Sequence, residues 1–163
     1  MNEGFQLTDA ANGVTTEMVD PVHTIHVAWT KPGSHNAFLY LDGHLFGNAT
    51  PQQPSDGCPD PSTGCGNGFE ALALYDRNGD GVIDARDPVF SQLRLWIDSS
   101  HDGTVQPSEL FTLPAMGVYS ISLHYVLDKY MDGNGNAFRY RGHLQQGTPS
   151  VDHTIYDVFL STK

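Results

Sequence analysis

Oxygen-bearing side chains recur at fixed intervals in the middle of this chain, and their spacing suits a hard cation. Residues 76–87 read D-R-N-G-D-G-V-I-D-A-R-D. Asp76, Asn78, Asp80, Asp84 and Asp87 stand at loop positions 1, 3, 5, 9 and 12. Gly81 takes position 6, and Val82 offers its carbonyl from position 7. This is the ligand spacing of an EF-hand calcium loop, in which a tight turn at the glycine lets one short segment present enough oxygens. A second copy follows, with Asp98, Ser100, Asp102, Gly103, Thr104, Gln106 and Glu109 at positions 1, 3, 5, 6, 7, 9 and 12. Asp, Asn and Gly also favour plain turns. Two copies with glycine at the same place match the ligand pattern better than turn composition does.

Histidine is the second signal. The chain has eight, and His23, His26, His35 and His44 lie close together in sequence. Imidazole is a poor calcium ligand and a good zinc ligand. His23 and His26 form H-x-x-H, but in a regular strand residues three apart point to opposite faces. One of them could join His35 or His44 in a three-histidine zinc site, whose bound water would attack a phosphoester or ester. Against this, the same histidines suit exposed strands and turns. No G-x-S-x-G elbow, H-E-x-x-H, Walker loop or strand-linked G-x-G-x-x-G is present.

These residues must be carried by a compact scaffold. At 163 residues and 39% hydrophobic content, the chain supports one domain, 1–163, with a real core. Its 19 acidic and 8 basic residues give a formal charge of -11, which excludes a duplex-binding surface built on clustered Lys and Arg. No apolar run reaches the length of a membrane helix. The opening M-N-E-G-F-Q-L-T-D-A has no signal-peptide pattern, so export would be as a mature part or a module of a larger chain. Mixed-ligand calcium loops fill most readily outside the cell. Cys58 and Cys65, in a Pro/Gly-rich loop, could close a local disulfide, with free thiols or a metal site as the alternatives.

The elements read as follows. Residues 22–30 and 37–41 are strand-like, separated by the turn Lys31-Pro32-Gly33-Ser34. Residues 48–67 form a long Pro/Gly/Ser loop. Phe69, Leu72 and Ala73 line a short helix entering the first calcium loop. Asp87-Pro88 reads as a helix start, with Val89, Phe90, Leu93, Trp96 and Ile97 as its apolar face. That single helix would leave the first loop and enter the second. Residues 119–126 alternate as a strand, residues 132–136 signal a hairpin, residues 137–141 return, and residues 154–160 end the domain as a strand. The expected class is α+β: a small antiparallel sheet with two or three short helices around paired EF-hand-like calcium loops.

The run from Asn67 to Asp98, followed by D-G-T-V-Q-P-S-E-L and G-V-Y-S-I-S-L, resembles the calcium-binding segment of secreted bacterial proteins. These include hemolysin-type and iron-regulated RTX-associated exoproteins. The resemblance covers residues 67–123 most specifically, and the calcium-loop segment is 67–113. It implies a further acidic loop before Leu45-Phe46-Gly47-Asn48, but here that stretch is shortened to L-D-G-H-L-F-G-N and His44 stands at the junction. Some related exoproteins carry self-cleaving modules that act at Asp-Pro, a dipeptide present here at Asp20-Pro21, Asp60-Pro61 and Asp87-Pro88. The leading expectation is an exported, calcium-stabilised module. The alternative is a small zinc-dependent hydrolase with its metal on His23, His26, His35 and His44.

Overall fold

The computed structural model of the chain describes residues 13–20, 23–27, 29–34, 36–45 and 67–160. His35, the 48–66 loop and both cysteines, with their expected disulfide, lie outside that set.

The described residues are mostly β-structure, in three antiparallel groupings. Strands β1 (Val14–Asp20) and β2 (His23–Val27) form a two-stranded ribbon. Strands β3 (Phe38–Leu41), β4 (His44–Leu45), β6 (Arg94–Trp96) and β7 (Leu110–Thr112) form a sheet in the order β4-β3-β6-β7. Strands β5 (Val82–Asp84), β8 (Val118–Ser122), β10 (Ala137–Gln146) and β11 (Val151–Phe159) run in the order β11-β10-β8-β5, with β9 (Val126–Met131) also paired to β10. The one α-helix among the described residues, α1, spans Gly68–Ala73.

This corrects the expected α+β class with two or three helices. Helix α1 forms where predicted, capped by Asn67, whose side-chain oxygen accepts from Glu70 N at 3.0 Å. Its buried face is Phe69, Ala71 and Leu72, whereas Ala73 is exposed. The helix predicted to join the loops does not form. Pro88–Ser91 makes one 3-10 turn, and Arg94–Trp96 is then a strand. The reason lies on both sides of β6. Phe38, Leu39 and Tyr40 of β3 pair with Trp96, Leu95 and Arg94, and β7 pairs the same three residues through Leu110, Phe111 and Thr112. A segment paired on both edges satisfies its backbone groups across the sheet, and the weak helical preference of so short a run cannot compete. Tertiary pairing decides.

β6 also divides the core. Leu93, fully buried, joins Leu72, Ile83, Val89, Phe90, Leu113, Val118 and Ile121 in the larger cluster. Trp96 packs instead with Trp29, their ring centroids 5.4 Å apart, and Phe38 stacks on Trp29 at 5.1 Å. In the other sheet the expected strand at 119–126 breaks in two. Val118 and Ile121, not Tyr119, fill the core, and β8 meets β10 across a register shift. The predicted hairpin at 132–136 forms, and its returning strand is twice the expected length.

Candidate metal centre

The two acidic loops hang from different frames. The first leaves α1, with Asp76 N still bonded to Ala73 O at 3.2 Å, and runs into β5. There Val82, Ile83 and Asp84 pair with Ser122, Ile121 and Ser120 of β8. The second connects β6 to β7, so it is the loop of a hairpin closed by Trp96 against Leu110 and by Ile97 N to Glu109 O at 3.0 Å. Neither is the helix-loop-helix of an EF-hand sensor.

Inside these unlike frames the loops fold alike. At position 1, Asp76 Oδ2 accepts from Gly81 N at 2.8 Å, and Asp98 Oδ2 accepts from Gly103 N at 2.8 Å. At position 5, Asp80 Oδ1 accepts from Val82 N at 3.0 Å and Asp102 Oδ1 from Thr104 N at 2.7 Å. At position 12, Asp87 Oδ1 accepts from Arg77 N at 2.9 Å and Glu109 Oε1 from Ser99 N at 3.0 Å. Gly81 and Gly103 hold φ of +80° and +71°, the left-handed region that glycine enters without a Cβ clash. The carboxylates thus bend the backbone around themselves.

Three of these acids are buried: Asp87, Asp98 and Glu109 are 2%, 3% and 3% exposed. No ion pair among the described residues reaches any of them. Buried carboxylates need a counter-charge or a full set of donors. Asp87 Oδ2 adds Asp84 N at 3.2 Å. Glu109 Oε1 also takes Ser99 Oγ and Ser100 N at 3.1 Å each, while its Oε2 takes Trp96 Nε1 at 3.1 Å. Burial pulls the Glu109 carboxyl upward, yet the donors of Trp96, Ser100 and Ser99 outweigh it and leave the group below its ordinary value. Asp98 Oδ2 accepts the Trp29 indole N–H at 2.6 Å, and its Oδ1 takes Ser100 Oγ at 3.1 Å.

The first loop holds a cation of its own. Arg86 Nη2 lies 2.6 Å from both Asp80 Oδ2 and Asp84 Oδ2. Its side-chain bond, then its backbone N–H, hold the Asp84 carboxyl below the usual aspartate range against a small opposing effect of burial. The second loop has the uncharged Ser108 at Arg86's position 11, and at position 9, where the first loop has Asp84, Gln106 Nε2 lies 3.3 Å from Asp102 Oδ2.

Among the described residues no group of three or more His, Cys, Asp or Glu side chains is gathered as a metal cluster. In the first loop, Asp80 and Asp84 are drawn onto Arg86, while Asp87 is tied to backbone amides. The remaining ligand types, the Asn78 amide, the Val82 and Thr104 carbonyls and the Ser100 hydroxyl, are neutral. Donor chemistry still fits calcium: every candidate in both loops presents oxygen, and a guanidinium stands in for positive charge in one of them. The histidines give less. His23 and His26 lie three apart on β2, register partners of Asp20 and Thr15, and His44 belongs to β4 in a different sheet.

A family model for the SPM domain matches residues 1–161. The chain belongs to the SPM domain family. This SPM domain is also similar to the iron-regulated protein FrpA of Neisseria meningitidis serogroup C, at 42% identity over 76 residues. That stretch is 47% of the chain and 7% of the relative, so the domain spans a small part of that protein's length. Sequence reasoning about this SPM domain missed three site residues. Trp29 and Trp96 give no sequence signal as partners of acids, since Trp29 reaches Asp98 across 69 residues. Arg86 did carry one, as a basic side chain between the ligand positions Asp84 and Asp87.

Proposed function

We propose that this SPM domain is a calcium-binding module, part of a larger exported protein, in which calcium stabilises the fold. The observation that carries this reading is the shared hydrogen-bond scheme of the two loops. Positions 1, 5 and 12 accept from positions 6, 7 and 2 in both, although one loop follows a helix and the other joins two strands. A common backbone solution in different frames fits a common ligand better than it fits generic turns. The ligands would be Asp76, Asn78, Asp80, Val82, Asp84 and Asp87 in one loop, and Asp98, Ser100, Asp102, Thr104 and Glu109 in the other. Calcium would neutralise part of the net charge of -11. Because it would bind the folded loops and not the unfolded chain, stability should rise with its concentration, by about 3 kcal/mol at a hundredfold excess over Kd. Thermal melts in EGTA and in millimolar calcium test this. Coincident melts would reject the reading.

A second reading concerns Asp20. It ends β1 as the register partner of His23 and is followed by Pro21. At such a dipeptide the Asp carboxylate would attack the carbonyl carbon of its own residue, breaking the bond to the prolyl nitrogen, which takes up a proton. Water would then open the cyclic anhydride. Intact mass after calcium addition tests self-cleavage, which requires two fragments whose masses sum to the chain plus one water. Asp87-Pro88 is a poorer candidate, since both Asp87 oxygens already accept backbone N–H bonds.

A further inference from the structure

In the first loop both oxygens of Asp76 and of Asp87 accept backbone N–H bonds, whereas Asp80 and Asp84 divide their oxygens between two tasks. Asp80 Oδ1 accepts from Val82 N, and Asp84 Oδ1 accepts from Arg86 N at 2.9 Å, so these oxygens shape the backbone. The other oxygens, Asp80 Oδ2 and Asp84 Oδ2, accept no backbone N–H, although Asp80 Oδ2 also takes Asn78 Nδ2 at 3.1 Å. Both are held by one atom, Arg86 Nη2, at 2.6 Å, and Arg86 Nε adds contacts of 3.0 and 3.1 Å to the Asp84 carboxylate. The Arg86 side chain is otherwise open, 63% exposed, with room to swing away. At the matching position 11 the second loop has Ser108, which carries no charge, and position 9 there is the neutral Gln106 in place of Asp84.

We propose that Arg86 is a tethered counter-ion which competes with calcium for the first loop, so that the two loops fill in sequence, the second before the first. The proposal rests on the calcium reading and adds its regulation. Without an ion, the guanidinium offsets the repulsion between Asp80 and Asp84 and keeps the loop folded. For both acids to turn their free oxygens to calcium, Arg86 must leave, and the displacement cost lowers the loop's affinity. The second loop has no such occupant, and its position-12 acid is the longer Glu109. Its filling has an optical reporter, because the Trp29 and Trp96 indoles bond directly to Asp98 and Glu109. The carboxylates of the first loop take their donors from backbone N–H groups, the Asn78 amide and Arg86, not from an indole.

The test is calcium titration of the full chain by calorimetry, with tryptophan emission followed in parallel, for wild type, Arg86→Gln and Arg86→Lys. Two sites are expected in the wild type, with emission changing along with the tighter one. Exposed ion pairs are weak because solvent screens them, so Arg86→Gln should tighten the weaker site only modestly, on the order of fivefold, and leave the emission midpoint unchanged. Arg86→Lys, which keeps the charge, should stay near wild type. If the wild type binds no calcium, the calcium reading itself falls. If two ions bind and Arg86→Gln leaves the weaker site unchanged or weaker still, the counter-ion proposal falls and the calcium reading stands. Circular dichroism confirms that the variants fold, and an unaltered emission response shows the second loop intact.

Discussion

Glu109 is the acid on which the second loop closes, and removing it gives the sharpest test of that closure. Its carboxylate accepts four bonds, from Ser99 N, Ser99 Oγ, Ser100 N and Trp96 Nε1, at 3.0 to 3.1 Å. Ser99 and Ser100 are exposed, so their donors can turn to water once the acid is gone. Trp96 is 2% exposed and cannot. A stranded buried donor costs about 1–3 kcal/mol, and hydrogen bonds to a charged acceptor contribute about 1.5–3 kcal/mol. Because part of the loss is recovered by solvent, Glu109→Ala should destabilise by about 3–5 kcal/mol in EGTA, where no ion contributes. For a domain of this size that corresponds to a fall in Tm of roughly 10 °C. Glu109→Gln keeps an oxygen for Ser99 and Ser100 but turns an amide N–H₂ toward the indole N–H, so it should cost about 2 kcal/mol. With saturating calcium the gap between wild type and either variant should widen by about 3 kcal/mol more, the linked contribution of a lost site at a hundredfold excess. Urea unfolding followed by circular dichroism, with and without calcium, reads all four differences. A Glu109→Ala protein that melts within about 2 °C of wild type in EGTA would refute the clamp, since the four bonds are present without any ion.

Two further outcomes follow from contacts already described. Trp29→Phe keeps the aromatic packing but removes the 2.6 Å bond that orients Asp98 Oδ2. Loss of such an orienting partner typically weakens a metal site about 10- to 100-fold, and calorimetry showing the tighter calcium site unchanged would rule out an orienting role. Asp157, half-buried and accepting from Gly68 N at 3.1 Å, is pushed up by burial to about 6 from the ordinary 3.8, the Gly68 N–H and Arg139 opposing. The folded state therefore holds this proton at pH values where the unfolded chain has released it, and stability falls as pH rises from about 4 to about 6. At about 1.4 kcal/mol per pH unit the interval amounts to about 3 kcal/mol. Asp157→Asn, which still offers Gly68 an acceptor, should flatten that dependence and raise Tm at pH 7.5. Parallel pH profiles for the two proteins would contradict the assignment.

Local chemistry was legible in the sequence wherever a short segment determines its own conformation. The positions of Gly81 and Gly103, helix α1 behind its Asn67 cap and the 132–136 hairpin all depend on residues within a few positions of one another. The joining helix failed for the opposite reason. Val89, Phe90, Leu93 and Trp96 have helical spacing, but Leu93 and Trp96 serve two different apolar clusters, and β6 finds its partners at residues 38–40 and 110–112. Periodicity cannot report a strand that is held by distant chain on both edges. The same limit hid the Trp29–Asp98 bond, because nothing near Asp98 announces an indole contributed from 69 residues away.

Replacing the joining helix with a strand changes what calcium can do here. A calcium sensor opens by altering the angle between two helices that flank each loop, and its output is newly exposed apolar surface. In this fold the flanks of the second loop are hydrogen-bonded to each other, Trp96 to Leu110, and the tail of the first loop is paired through Ile83 to Ile121. The flanks of the second loop cannot splay, and the tail of the first cannot move, without breaking a ladder whose residues are among the most buried of those described: Ile83, Trp96 and Ile121 are 0%, 2% and 3% exposed. Calcium on such loops has no low-cost motion to drive. If it binds as proposed, its free energy of binding would go into holding closed a structure whose acids, in its absence, lean on backbone amides, two indoles and one arginine.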